Sequence, residues 1–196
     1  MLLQDSELTE EKITSEEIFH GKVVHLFRDT VRLPNGKPAT REVLRHPGAA
    51  AVVPVTEDGN VILVRQYRYP FATVMLEIPA GKLDPGEDPL VCARRELQEE
   101  TGYAAEEFVS LGVFYPSVAI LDEKIHLYLA RKMTFLATNP DDDEFLNVEQ
   151  RPLEQFVEEI LRGDVPDGKT QTAVLKAWHM EQKRIHAQAC LSEQKR

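Results

Sequence analysis

The sequence predicts an α/β fold in which strands precede and follow one short helix, with a small antiparallel β appendage at the N-terminus. Apolar runs over residues 49–55 and 61–68 are typical of buried strands. A helical pattern with capping residues at both ends covers residues 88–102. Strand-like segments at 108–115 and 125–130 follow it. Strands on both sides of one helix indicate a mixed α/β sandwich.

The first 46 residues are predicted as an arm and a hairpin used in dimerisation. Residues 1–18 are polar and rich in glutamate, which indicates a short helix or a loose arm. Apolar or alternating segments then flank Pro34-Asn35-Gly36, a strong turn signal, and predict a β-hairpin or small antiparallel sheet. Val23, Val24 and Phe27 are too apolar for a free surface. We therefore expect a partner subunit at residues 1–46 and a main domain over 47–196.

Composition limits the classes of function. The 196 residues fit one globular domain or one domain with a small appendage. The chain has 23 Lys and Arg against 33 Asp and Glu, a net charge of −10, which argues against nucleic acid or an anionic membrane as the main partner. No apolar run is long enough to span a membrane, and no signal peptide is recognisable. Cys92 and Cys190 lack C-x-x-C spacing, so we expect a reducing cytoplasm.

The central helix has recognisable ends and a core face. Asp88 can cap its N-terminus, and Gly102 suits the left-handed residue after its end. Its apolar residues recur at i, i+3 and i+7: Leu90, Ala93 and Leu97. Two more helices are expected, one over residues 153–161 and one from residue 172 toward residue 190.

Three carboxylates share one patch of the central helix. Glu96, Glu99 and Glu100 fall at i, i+3 and i+4, where like charges repel one another and face the negative end of the helix dipole. A hard divalent cation such as Mg2+ would remove that conflict and would also bind phosphate oxygens. The alternative is a solvated acidic face with the neighbouring arginines as partners. The full pattern from Gly81 to Tyr103 favours the metal site.

At these residues the chain resembles the Nudix hydrolases. It carries their box as Gly81-Lys-Leu-Asp-Pro-Gly-Glu87, then Arg95-Glu96-Leu97, Glu99-Glu100 and Gly102. The resemblance implies a Nudix α/β/α sandwich with a mixed sheet, and hydrolysis of a nucleoside diphosphate linked to another group with Mg2+ or Mn2+. It also implies Glu96 and Glu100 as direct metal ligands, with Glu99 close by. Arg95 would hold one of these carboxylates, and the Ala80 carbonyl would complete the site.

A longer stretch, from Phe19 to Tyr128, looks like the ADP-ribose pyrophosphatase branch of that family. Its matching segments are Phe19-His-Gly-Lys-Val, Leu33-Pro-Asn-Gly-Lys, Arg41-Glu, His46-Pro-Gly, Arg65-Gln-Tyr-Arg68, Glu77-Ile-Pro-Ala-Gly-Lys-Leu and Phe114-Tyr115. Taken alone, these charged residues could equally be solvated charges at strand ends. The likeness implies that Arg41 and Arg68 contact substrate phosphate or ribose and that Glu77 hydrogen-bonds the ligand. Arg65 is grouped with these substrate-binding residues. The likeness also implies a homodimer with exchanged hairpins.

One loop departs from that branch, whose members usually read Ser-Pro-Gly followed by a glutamate. Here Ser117 and Glu123 stand at the matching positions, but Val118-Ala119 replaces Pro-Gly. We expect Ser117 to contact substrate and Glu123 to be the general base, with Glu99 as the second candidate. Because the loop is altered, the identity of the terminal sugar of the substrate stays open. The expected substrate is ADP-ribose. The alternatives are GDP-mannose or another nucleoside diphosphate sugar, and a catalytically silent nucleotide-sensing domain.

Three other patterns are predicted to carry no chemistry. Residues 163–170 satisfy the P-loop pattern, but they follow an amphipathic helix rather than a buried strand, so they indicate a helix-to-helix turn. Lys169 is then expected to be dispensable for turnover. The acidic run 141–144 lacks the glycine and terminal glutamate of a Ca2+ loop. The six histidines show no ligand spacing, and His126 and His179 are expected to be structural.

Overall fold

The computed structural model describes residues 4–137 and 145–193, with side chains to residue 187 in the last helix. These residues form ten strands and three α-helices, besides two short 3-10 turns. The strands are β1 (Glu11–His20), β2 (His25–Arg32), β3 (Pro38–Arg45), β4 (Ala49–Pro54), β5 (Asn60–Arg68), β6 (Thr73–Glu77), β7 (Ala80–Lys82), β8 (Tyr103–Phe114), β9 (Ile125–Phe135) and β10 (Leu146–Pro152). The helices are α1 (Pro89–Thr101), α2 (Leu153–Arg162) and α3 (Gly168–Glu193).

The chain divides into two compact units. One comprises the chain up to Pro47 together with the loop Tyr115–Glu123. The other comprises Gly48–Phe114 and the chain from Lys124 onward. The sequence suggested a boundary one residue earlier, at 46/47, and gave no sign that the loop would join the first unit.

The first unit is an antiparallel sheet with the order β1-β2-β3. The predicted arm over residues 1–18 is wrong from residue 11 onward, because Glu11–His20 is a strand paired along the length of β2. All ten of its residues are exposed, so the alternation that reveals a half-buried strand is absent from its sequence. Cross-strand hydrogen bonds rather than side-chain burial hold β1 in place.

The second unit contains a mixed sheet with the order β7-β4-β9-β8, in which β4 and β9 run parallel. An antiparallel sheet with the order β10-β5-β6 accompanies it. All six residues of β4 are buried because each face of that strand packs against a helical layer. Ala50 and Val52 pack with Ala93 and Leu97 of α1. The alternate residues Ala49, Ala51 and Val53 join a larger core with side chains of α2 and α3. This layering confirms the predicted α/β sandwich.

Helix α1 has the predicted caps. The Asp88 carboxylate accepts the Leu90 N–H at 2.9 Å, and Gly102 ends the helix at φ 77°. The structure departs from the sequence-based prediction at three places: two elements begin earlier than expected, and one strand was not predicted. Strand β8 begins at Tyr103, five residues before the expected start, α3 begins at Gly168 rather than near residue 172, and β10 had no recognisable pattern.

Other predictions fall on particular parts of the chain. Residues 163–167 connect α2 to α3, so the predicted helix-to-helix turn is confirmed. The acidic run 141–144 and the Cys190 side chain lie outside the described residues. Within those described, none of the helices has the length and apolar character needed to cross a membrane.

Candidate active site

The carboxylates of α1 differ sharply in exposure. Glu96 and Glu100 are buried, with 7% and 2% of their surface exposed, whereas the Glu99 side chain is 29% exposed. The backbone N–H of Ala80, the first residue of β7, donates to Glu100 Oε2 at 3.0 Å. A buried carboxylate needs partners of this kind, because its charge is costly away from water. The helix and the short strand therefore form one site around residue 80.

Gly81 is required by the close approach of α1 to β7. A Cβ atom built on this residue would overlap the carboxyl group of Glu96. Any side chain at position 81 would require the buried Glu96 carboxyl group to move, because a Cβ atom would lie only 1.7 Å from Glu96 Oε1. The glycine thus leaves room for the Glu96 carboxyl group beside the β7 backbone.

Arg95 is the cation that holds this carboxylate group together. Its Nε and Nη2 donate to the two oxygens of Glu87 at 3.1 and 3.0 Å, while Nη1 donates to Glu96 at 2.7 Å and Glu99 at 2.9 Å. The hydrogen bonds to Glu87, with the carboxylates of Glu96 and Glu99, raise the pKa of Arg95. In turn the Arg95 guanidinium lowers the pKa of Glu87 to about 2. These contacts orient two of the expected metal-binding carboxylates.

The donor set suits a hard divalent cation that keeps most of its waters. Such an ion needs one or two carboxylates and completes its shell with water and substrate phosphate. Two buried carboxylates beside an exposed backbone segment fit that need. Among residues 4–137 and 145–187, one group of three metal-ligating atoms lies within 4.8 Å of one another, and it is not on α1. The carboxylates of α1 are thus spaced for an ion that also binds water or substrate oxygens.

That trio consists of Glu17, His20 and His25, near the turn between β1 and β2. His20 and His25 are a cross-strand pair with ring centroids 4.1 Å apart, and His20 Nδ1 lies 2.8 Å from Glu17. Residues three apart on a regular strand point to opposite faces, but a register shift between Glu17 and Phe19 brings them together. Sequence reasoning missed this cluster. Its Glu17 and His20 side chains are exposed, and their mutual contact accounts for the proximity.

A second buried carboxylate, Glu77 at the end of β6, is held by two cations. Arg68 donates from Nε and Nη2 to its two oxygens, both at 2.7 Å, and Lys169 Nζ also bonds it. Burial opposes ionisation, but the Arg68 hydrogen bonds and the Lys169 charge prevail and lower the pKa of Glu77 to about 2. The structure therefore places Arg68 and Glu77 together, as ion-pair partners. Lys169, for which the sequence predicted no role in turnover, joins them.

Arg65 lies on the other face of β5 from Arg68, because side chains alternate along a strand. It lines a groove of about 580 Å³ with residues of α2 and of the turn after it. The arginines across that groove are already paired, Arg151 with Glu149 and Glu159, and Arg162 with Asp164. The sequence analysis grouped Arg65 with Arg68 and Glu77. In the structure, Arg65 is separated from that ion pair.

The remaining predicted site residues belong to the first unit. Arg41 donates to both oxygens of Glu10. The loop that carries Ser117 and Glu123 is tied to β3, since Leu44 N–H donates to Ile120 O at 2.7 Å. Glu123 is 17% exposed and its Oε1 lies 3.4 Å from His46 Nδ1, a position that does not fit a fully solvated side chain.

The comparisons with known proteins agree with this geometry. The NUDIX domain model matches residues 44–172. The chain belongs to the NUDIX family. The nucleoside diphosphate sugar hydrolase N-terminal domain model matches residues 10–44, which covers β1 to β3 of this NUDIX protein. The carboxylates and the glycine described above therefore lie in the NUDIX part of the chain.

Relatives of this NUDIX chain are similar over most of their length. An ADP-ribose pyrophosphatase of Bacillus subtilis is 43% identical over 85% of the chain and 91% of the relative. A methanol dehydrogenase activator of Bacillus methanolicus is 45% identical over 85% and 92%. A GDP-mannose pyrophosphatase of Escherichia coli is 32% identical over 86% and 93%. A crystal structure of an ADP compounds hydrolase has a TM-score of 0.78 at 21% identity, covering 89% of this chain and 95% of its own, and shows the same fold.

Proposed function

We propose that this NUDIX protein hydrolyses the pyrophosphate bond of ADP-ribose to AMP and ribose 5-phosphate, with Mg2+ as cofactor and Mn2+ as a substitute. The observation that carries the proposal is the pair of buried carboxylates, Glu96 and Glu100, held against β7 where Gly81 leaves room for them. A catalytically silent domain would not need these carboxylates, because hydrophobic residues of similar volume can replace buried ionic groups at little or no cost in stability. The names of similar proteins supply the substrate class.

The proposed mechanism assigns each group of residues one task. A Mg2+ ion bound by Glu96, Glu100 and the Ala80 carbonyl would neutralise phosphate charge and lower the pKa of a bound water. Arg95 fixes the orientation of Glu96 and Glu99 through the hydrogen bonds described above. Arg68 would bind a substrate phosphate. The water adds to one phosphorus, and the bridging oxygen leaves with the other phosphate.

We assign the general base to Glu123 and keep Glu99 as the second candidate. Both are carboxylates that could take the proton of the attacking water. The Glu123 assignment is supported by its limited exposure and its contact with His46, which can orient the carboxylate. Arg41 and Ser117 are proposed to contact the substrate, and Arg65 remains the least supported member of that group because of its place in the groove.

We further propose a homodimer that uses the first unit. Its sheet leaves apolar side chains half exposed, including Phe19 at 56%, Val23 at 50% and Val24 at 47%. Together they form the kind of surface that a second subunit covers. The proposed compartment is a reducing cytoplasm, in keeping with the free thiol of Cys92, whose pKa burial raises to about 12.

The alternative substrate is GDP-mannose or another nucleoside diphosphate sugar. The name of the Escherichia coli relative favours it, and the altered Val118-Ala119 loop leaves the terminal sugar open. A substrate panel decides between these functions. Purified protein with Mg2+ is given ADP-ribose, ADP-glucose, GDP-mannose and dinucleotides, and the released monophosphate is quantified. We expect AMP from ADP-ribose at the highest kcat/KM. A higher kcat/KM for GDP-mannose would identify GDP-mannose as the substrate instead of ADP-ribose. If no compound of the panel is hydrolysed, the remaining hypothesis is a catalytically silent nucleotide-sensing domain.

A further inference from the structure

Lys169 occupies a position that its sequence context does not explain. It belongs to the P-loop-like segment 163–170, which consists of the connection after α2 and the first three residues of α3 and does not follow a strand. Its Nζ atom bonds Glu77 and also lies 3.0 Å from Asp167 Oδ2, and its side chain is only 11% exposed. A lysine is rarely buried to this degree unless it is paired. The pairing therefore indicates a role at Glu77.

The surrounding group is electrically balanced. Two cations, Arg68 and Lys169, face two carboxylates, Glu77 and Asp167. The Glu77 side chain is 2% exposed, so its charge depends on these partners rather than on water. Removing Lys169 would leave one excess negative charge, and Arg68 would be the remaining cation on Glu77.

Arg68 is the member of this group that can still bind an anion. Its pKa is raised mainly by the hydrogen bonds to Glu77, and the charges of Asp167 and Glu100 raise it further. Nε and Nη2 of Arg68 are engaged by Glu77, whereas the side chain is still 37% exposed. This leaves the third nitrogen, Nη1, as the donor for an anion.

The first turn of α3 is fixed to the same segment by backbone contacts. The Ile78 N–H donates to Thr170 Oγ1 at 3.0 Å, and the Thr170 N–H donates to Asp167 Oδ2 at 2.9 Å. Thr170 is fully buried. These bonds hold Lys169 beside Glu77 without requiring any ligand.

We propose that Lys169 is a positioning residue, which shares the Glu77 carboxylate with Arg68 so that the Arg68 guanidinium can bind a substrate phosphate through Nη1. Asp167 keeps the lysine in place. Without the lysine, Glu77 attracts Arg68 alone, and a phosphate anion must compete with an uncompensated carboxylate. This inference rests on the proposed function, because it requires a substrate with a pyrophosphate group.

The test compares Lys169→Met with Lys169→Arg, and uses Lys183→Met as the matched control. Lys183 lies on the exposed side of the same helix, so the control removes the same charge elsewhere. We expect Lys169→Met to raise KM for ADP-ribose by about tenfold while kcat changes much less, since coupled neighbours commonly show effects of this size. Lys169→Arg should restore most of the affinity, and Lys183→Met should match the wild type.

A double-mutant cycle identifies the route of the effect. In an Arg68→Lys background, Lys169→Met should raise KM far less than in the wild type, because the residue through which it acts has been altered. An unchanged KM in Lys169→Met, or an increase of the same size in both backgrounds, would overturn the proposal. If Lys169→Met does not fold, as judged by circular dichroism, Lys169→Gln carries the same test, because it keeps a donor and loses the charge.

A spectroscopic measurement separates this inference from the proposed function. Wild-type protein that hydrolyses none of the nucleoside diphosphate sugars refutes the function. The 15N signal of Arg68 Nε then still reports the contact, and it should shift in Lys169→Met but not in Lys183→Met. An unshifted Arg68 signal would refute the positioning role even if the enzyme is active.

Discussion

At the scale of single residues, the site depends on buried charges whose partners are all supplied by the protein. Arg95 contacts three carboxylates, and Glu77 is shared between two cations. In each case the desolvation cost of the charge is offset by several short hydrogen bonds. A substitution that removes one partner therefore changes the chemistry of the others as well.

Replacing Glu100 or Glu96 by glutamine should lower kcat for AMP release by about 100-fold or more, because each change removes a preorganised charge from the metal site. Glutamine keeps the shape, and its amide oxygen can still accept the Ala80 N–H at position 100 or the Arg95 N–H at position 96. Circular dichroism and thermal unfolding should therefore show a folded protein. Stability can even rise, since one repulsive charge is gone. Glu154→Gln, on an exposed part of α2, is the control. A variant that keeps most of its activity in Mg2+ is not missing a metal ligand.

Replacing Glu123 by glutamine distinguishes a base from an anchor. As the general base it acts in the transition state, so kcat should fall strongly while KM and metal affinity change little. As a loop anchor through His46, its loss should raise KM and leave kcat mostly intact. The pH profile of kcat gives an independent reading. If its acidic limb persists in Glu123→Gln, the base is another group.

At the scale of elements, α1 and β7 form one functional pair. The helix brings the carboxylates, and the strand brings a backbone that approaches them closely because Gly81 has no side chain. The caps at Asp88 and Gly102 fix where the helix begins and ends. The position of each carboxylate along the helix therefore follows from these two residues.

Gly81→Ala should reduce both activity and stability, because the added methyl group overlaps the Glu96 carboxyl group. Asp88→Ala, at the N-terminus of α1, is the comparison variant. It removes the cap and should cost about 1 kcal/mol in the free energy of unfolding, with turnover close to that of the wild type. Urea denaturation and steady-state kinetics measure the two effects. Equal activity in both variants would show that the close approach is unimportant.

The elements also show what a sequence can reveal. Helix α1 was predictable because its caps and its core face, Ala93 and Leu97, are all local signals. Strand β1 was not, because its residues are all exposed and its pairing with β2 leaves no trace in its own pattern. The contact of Lys169 with Glu77 was not predictable for a related reason. It links residues far apart in sequence, and only the P-loop-like neighbourhood was visible locally.

At the scale of the whole molecule, the residues proposed for substrate and metal binding are distributed over both compact units of the chain. The metal ligands, Arg68 and Glu77 belong to the second unit, whereas Arg41, Ser117 and Glu123 belong to the first. The loop 115–123 leaves the second unit after β8 and returns to it at Lys124.

We predict a homodimer at micromolar concentration, measured by light scattering coupled to size exclusion. The apolar side chains of the first unit supply the surface that the second copy would cover. Val23→Asp with Val24→Asp should weaken association and lower activity together, if each site borrows from its neighbour. A fully active monomer would refute the shared site.

The hydrogen bond from Ile78 to Thr170 joins positions 92 residues apart, and this separation has a consequence for the newborn chain. A ribosome releases α1 well before the first turn of α3. During that interval Glu77 has no lysine and no neighbouring threonine, so the segment between β6 and β7 cannot close. A polypeptide arrested before Val165 would thus carry the whole carboxylate helix and still lack a finished site. We therefore expect a chain that ends before this turn to be inactive, because it lacks both the bond to Ile78 and the lysine at Glu77.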